Sequence, residues 1–152
     1  MSEHISIFDQ MLSRIGSIEL EYKEIDLPFE INPDKFIDWI ASVSEEIYPE
    51  NYGMTVCTMC EYAVLWVSKL ATDVDFPEER LKICSGYYGF AEHYWLLLDD
   101  KYIIDLTLAQ FENDSPKLAI TLLAESIGET SYHNYDEMTY KEYILEKLNC
   151  EF

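Results

Sequence analysis

Residues 57–111 read CTMCEYAVLWVSKLATDVDFPEERLKICSGYYGFAEHYWLLLDDKYIIDLTLAQF, and this stretch decides the fold. A cysteine pair opens a helical pattern (CTMCEYAVLWVSKL), which predicts a helix from about Thr58 to Ala71. A short loop from Asp73 to Glu79 contains Pro77 and separates that helix from the first strand of this stretch. Leu81 to Ser85 reads as that strand, and Gly86 to Gly89 as a turn or bulge. Glu92 to Leu98 and Tyr102 to Leu106 read as two more strands, joined through Asp99-Asp100. Helices first, then a helix feeding adjacent strands, predict an α+β fold with an antiparallel sheet.

Working outward toward the N-terminus, Asn32-Pro33 is a helix start: a capping side chain followed by proline at the first helical position. Phe36, Ile40, Val43 and Ile47 form the apolar stripe of that helix, and the segment from Tyr48 to Gly53 reads as a turn-rich loop. Further out, Ile5, Phe8, Leu12 and Ile15 repeat at helical spacing up to Gly16. Ile18, Leu20 and Tyr22 then alternate with Glu19 and Glu21 as a strand with one wet face. Toward the C-terminus, Pro116, preceded by Ser115 as cap, predicts a helix to about Glu125. A last helix is expected from about Asp136 to Leu148, with Tyr140, Ile144 and Leu148 on one side. No repeat or linker interrupts the chain, so residues 1–152 are expected to form a single domain.

The chain is 49% hydrophobic and 14% aromatic, which excludes disorder. No apolar run approaches the roughly 18 residues of a membrane helix, and the N-terminal MSEHISIFDQ lacks the layout of a signal peptide. A cytoplasmic location is therefore expected, with Cys57, Cys60, Cys84 and Cys150 as reduced thiols. Thirty acidic residues against ten basic ones give a net charge of −20. That field repels nucleic-acid phosphates and anionic membranes, and it favours a basic protein or peptide partner. Cys84 and Cys150 are single and His4, His93 and His133 are scattered, so neither a metal nor another cofactor is expected.

Cysteine, histidine and aspartate follow one another one helix and one hairpin apart. A thiol attacks as thiolate, and both a helix N-terminus and a neighbouring imidazolium favour that form. Cys57 and Cys60 lie one turn apart where the helix begins, and periodicity does not separate them. His93 can serve as proton carrier and Asp105 as the group that orients it. Strand parity adds a geometric demand. A two-residue turn at Asp99-Asp100 would put Asp105 on the face opposite His93. The triad needs an odd turn or a bulge, and a three-residue turn from Asp99 to Lys101 would place His93, Trp95 and Leu97 on one face with Asp105 diagonally across.

Three segments, CEYAVLWVSKL, GYYGFAEHYWLLLDD and YIIDLTLAQF, resemble the transglutaminase-like branch of the papain-like cysteine protease superfamily. Members of that branch pair His-x-Trp on one strand with Asp-x-Thr at the end of the next. The resemblance implies a papain-like/transglutaminase-like core: N-terminal helices and a nucleophile helix packed on an antiparallel sheet, followed by C-terminal helices. It favours Cys60 over Cys57 as nucleophile, because Ala63 stands three residues after it where such members carry a small residue. It implies that the backbone N–H of the nucleophile helps to bind an oxyanion, with Asn51 or Tyr52 upstream as the candidate second donor.

The implied activity is acyl transfer or amide hydrolysis through a thioester, of protease, amidase, deamidase or transglutaminase type. Tyr87, Tyr88 and Phe90, flanked by Gly86 and Gly89, form an aromatic loop before His93; Tyr87 and Tyr88, with Trp95, are candidate walls of a substrate cleft. The competing reading is a non-catalytic acidic interaction protein on the same fold, an inhibitor or a nucleic-acid mimic.

Overall fold

A computed structural model describes residues 25, 27–43, 52–112 and 115–150, and over these the chain is α+β, built on a five-stranded antiparallel sheet. The helix and strand expected within 5–22, Ile47, and the loop residues 48–51 lie outside the described residues. Helix α1 (Pro33–Val43) starts as its sequence demands: Asn32 Oδ1 accepts from the N–H of Asp34 at 2.9 Å and of Lys35 at 3.4 Å. Phe36 and Ile40 of its stripe are fully buried. The single turn α2 (Tyr52–Thr55) stands where part of a loop was expected. Helix α3 (Cys60–Asp73) buries Ala63, Val64, Val67 and Ala71 at three- and four-residue spacing, and it packs on the sheet over β2 (Ala91–Leu98).

Strand β1 (Leu81–Tyr88) is longer than expected, and its turn to β2 is only Gly89-Phe90. The expected irregularity around Gly86 lies on the other edge, where the register against β5 (Tyr132–Met138) shifts between Ser85 and Tyr87. A Cβ on Gly86 would come within 2.5 Å of the Tyr135 Cβ, so the crossing excludes any side chain there. Strand β3 (Tyr102–Asp105) pairs with β2, and β4 (Ala119–Leu122) pairs with β3. The strand order is β4-β3-β2-β1-β5.

Two C-terminal expectations are corrected. The helix expected from Pro116 to Glu125 is strand β4 followed by one turn, α4 (Leu123–Ser126). The free edge of β3 is the reason: its buried N–H and C=O groups need partners, and residues 119–122 supply them. Ser115 Oγ donates to the Pro116 carbonyl instead of capping a helix. The last helix, α5 (Tyr140–Cys150), begins four residues later than expected, because Asp136 to Met138 pair with β1. Its true start is a capping box. Glu142 N–H donates to Thr139 Oγ1 at 3.2 Å, and Thr139 N–H donates back to Glu142 Oε1 at 3.5 Å. Tyr143 is buried, Tyr140 and Ile144 are half-buried, and Leu148 is exposed.

The sheet has two unlike faces. One packs Leu96, Leu98, Ile83 and Ile104 against α1, α3 and α5 in a largely aliphatic core. The other carries Cys84, Trp95, Leu97, Ile103 and Tyr132, flanked by Tyr88, Leu108, Leu123 and Tyr135. No helix among the described residues is long and apolar enough to cross a membrane.

Candidate active site

The β2–β3 hairpin sets the geometry. Leu98 pairs with Tyr102 and Leu96 with Ile104, so the turn holds three residues, 99–101, the odd length that the triad requires. Asp99 and Asp100 take φ values of 53° and 54°, a left-handed conformation that aspartate tolerates better than most side chains. Lys101 N–H closes the turn on the Leu98 carbonyl at 3.0 Å, and Arg80 grips the Asp99 carboxylate with two bonds of 2.7 and 2.9 Å. This turn leaves Asp105 on the same face as His93, Trp95 and Leu97. The strand pairing with β3 covers only Leu96 to Leu98 of β2, so His93 lies beyond it, near the end of β3.

His93 Nε2 and Asp105 Oδ2 are 2.7 Å apart, with the two residues 1% and 2% exposed. Asp105 is saturated with donors. Tyr132 Oη donates to Oδ2 at 2.7 Å, while Thr107 donates to Oδ1 from its N–H at 2.8 Å and its hydroxyl at 3.2 Å. Burial alone would push the Asp105 carboxyl up; the His93 charge and hydrogen bond, with those of Tyr132 and Thr107, hold it below the usual carboxylate range. Burial alone would likewise lower His93. The Asp105 charge and hydrogen bond, with a smaller contribution from Cys60, outweigh it and raise His93 to about 9. The ring is therefore an imidazolium at neutral pH, donating to a carboxylate.

Cys60 is the first residue of α3 and is half-buried. Of the two candidate cysteines it is the one that acts on His93. The contact is looser than a hydrogen bond, because His93 Nδ1 is buried without a partner in hydrogen-bond geometry. The α3 start carries no side-chain cap, and the first backbone bond closing the helix runs from Ala63 N–H to the Met59 carbonyl. The N–H of Cys60 thus belongs to the end of the helix where orphan donors and the positive end of the dipole lie. Cys57 is exposed in the preceding turn. Cys84 is buried in the second core, where burial and the nearby Glu137 push its thiol up.

The remaining candidates divide. Tyr88 lies over the site: its ring stacks on Phe111 at 5.1 Å, stands 6.3 Å from His93, and its hydroxyl donates to Glu112 at 2.7 Å. Tyr87 is exposed and faces the His133 ring at 5.9 Å. Trp95 is fully buried, 5.9 Å from His93 and 4.8 Å from Tyr132, so it backs the site and offers no wall to a substrate. Asn51 and the Tyr52 side chain lie outside the described residues. A cleft of about 260 Å³ runs along the β1–β2–β5 end of the sheet, lined by Ser85, Gly86, Tyr87, Glu92, His93, Tyr94, Asn134 and Asp136. Among the described residues, no group of three or more His, Cys, Asp or Glu side chains could hold a metal ion.

Three residues of the site do not stand out in the sequence. Tyr132 opens β5, a strand whose far end carries a helical pattern, and no periodicity points to it. Phe111 places its ring edge-on to His93 at 4.9 Å. Gln110, in the 3-10 turn Leu108–Gln110, accepts from the Thr58 N–H at 3.3 Å through Oε1, which ties the loop before Cys60 to the chain just after Asp105. Thr58 has φ 66°, so that loop is held in an uncommon conformation.

No family model, no curated protein and no solved structure matches this chain.

Proposed function

We propose that this protein is a cysteine-dependent acyl-transfer or amide-hydrolysing enzyme with a papain-like/transglutaminase-like core. The observation that carries the reading is the buried His93–Asp105 pair, whose free ring nitrogen lies in a site that Cys60 enters from the start of α3. A structural histidine gains nothing from an unpartnered buried nitrogen; a proton carrier needs one nitrogen for its orienting group and the other for chemistry.

Cys60 is the nucleophile in this reading. Sulfur attacks as thiolate. The sulfur bonds to the substrate carbonyl carbon, and the backbone N–H of Cys60 stabilises the oxyanion. His93 gives its proton to the leaving amine as the carbon–nitrogen bond breaks, which leaves a thioester. Water or an acceptor amine then attacks, His93 takes its proton, and the carbon–sulfur bond breaks to restore Cys60. Asp105 stays ionised and keeps Nε2 as the donor nitrogen. The net charge of −20 favours a basic protein or peptide as substrate, and the composition suits a cytoplasmic setting.

Timed iodoacetamide labelling at about pH 6 tests this. Cys60 should label far faster than Cys57, Cys84 and Cys150, and His93→Ala should slow it about a hundredfold or more. Slow, uniform labelling of all four thiols would sink the enzyme reading. The charge also supports the alternative of a non-catalytic acidic interaction protein. Salt-sensitive capture of a basic protein, unchanged in Cys60→Ala and Cys57→Ala, would favour it.

A further inference from the structure

The His93–Asp105 pair is part of a larger buried array. Asp105 Oδ2 receives two donors at the same distance of 2.7 Å: the ring nitrogen of His93 and the hydroxyl of Tyr132. Tyr132 is 2% exposed and comes from β5, on the far side of β1 from β2. Its ring is packed by Trp95 at 4.8 Å and Tyr88 at 4.9 Å, so its hydroxyl has little freedom to turn elsewhere. The other carboxylate oxygen is already occupied by Thr107. A hydroxyl that shares one oxygen with the catalytic-type imidazole competes with it for the same negative charge.

We propose that Tyr132 is a positioning residue of the Cys60–His93–Asp105 site: through Asp105 it holds the carboxylate in line with His93 and sets how strongly that carboxylate retains the imidazole proton. This rests on the reading of the site as catalytic. The chemical consequence has a definite sign. Each bond that Oδ2 accepts from Tyr132 disperses charge that would otherwise draw the His93 proton. With the hydroxyl present, His93 releases its proton more readily to a leaving group; without it, the imidazolium is held more tightly. Among the described residues, the ionisable groups that face His93 are Cys60 on α3, Asp105 on β3, Tyr88 on β1 with its acceptor Glu112, and Tyr132 on β5. Of these, only Tyr132 donates to the His93-bearing oxygen of Asp105.

The test is Tyr132→Phe in the full chain, which keeps the ring contacts and removes one donor. Two readouts are followed with pH: the His93 ring nitrogens by NMR, and the rate of Cys60 alkylation by iodoacetamide. In the unaltered protein the His93 titration is expected at about 9. In Tyr132→Phe it should rise, because Asp105 then keeps more of its charge for His93. The upper inflection of the Cys60 profile should move with it. Replacing Tyr132 by a fluorinated tyrosine, a stronger donor of the same shape, should move both in the opposite direction. That sign reversal is one a purely structural role would not produce. A His93 titration unmoved by both replacements would overturn the proposal, whether or not Cys60 is reactive. If His93 shifts as expected while Cys60 labels no faster than Cys57 in every variant, the catalytic reading fails and Tyr132 is left tuning a structural pair.

Discussion

The two faces of the sheet are built from different materials. Under α1, α3 and α5, Leu96, Leu98, Ile83 and Ile104 meet Phe36, Ile40, Val64 and Val67, and none of these carries a polar side-chain atom. The opposite face buries Trp95, Leu97 and Ile103, yet among them it also buries His93, Asp105, Thr107 and Tyr132 in one hydrogen-bonded array. The first face is stabilised by apolar area removed from water, which is indifferent to pH. The second holds an ion pair whose desolvation is costly and is offset only while every partner is in place. A protein that needed stability alone could have filled that position with apolar side chains at no loss. The contrast is the reason to look for chemistry on the second face.

The contrast can be broken or sharpened by experiment. The largest effect on stability should come from the aliphatic face. Leu96→Ala, at a fully buried residue, should cost about 2–5 kcal/mol in chemical denaturation. It should leave the ratio of Cys60 to Cys57 labelling in the folded protein unchanged; a collapse of that ratio would mean that the two faces are not separable.

Between about pH 6.5 and 9 the pH dependence should belong to the aromatic face. His93 titrates higher in the folded chain than the usual 6.5, so its contribution is fully present below that value and is lost as pH rises through about 9. Asp105 is shifted the other way, so its contribution is present above the ordinary carboxylate range and is lost as pH falls through its depressed value. Thermal unfolding followed from about pH 6.5 to 9 should show a declining midpoint, and His93→Ala should flatten that decline while Leu96→Ala does not. The smallest effect lies at a helix end. Asn32→Ala removes the α1 cap and should cost about 1 kcal/mol, with the decline from about pH 6.5 to 9 unaltered.

Legibility in the sequence tracks the range of the interactions. The Asn32 cap is readable because neighbours within a few residues decide it; the turn reads locally only as Asp99-Asp100, and its three-residue length is a condition set by His93 and Asp105 sharing a face. The Thr139–Glu142 capping box is equally local, but the acidic run before it masks it as a helix start. Residues 116–125 depart from their pattern for a different reason. A Ser-Pro start is a real helix signal, but β3 has an edge to be paired, and pairing that edge outweighs a weak propensity. The same competition turns Asp136 to Met138 into strand.

By itself the sequence determined which histidine and which aspartate could meet, and the turn they needed, because strand parity is a local property with a period of two. It left Cys57 and Cys60 on one helical face. The tertiary structure sets them apart in space: Cys60, at the start of α3, acts on His93, and Cys57 is exposed in the preceding turn. Only the tertiary structure brought Tyr132 to Asp105, 27 residues away. That contact depends on β5 pairing with β1 across the sheet, and no pattern within either segment encodes a partner so distant.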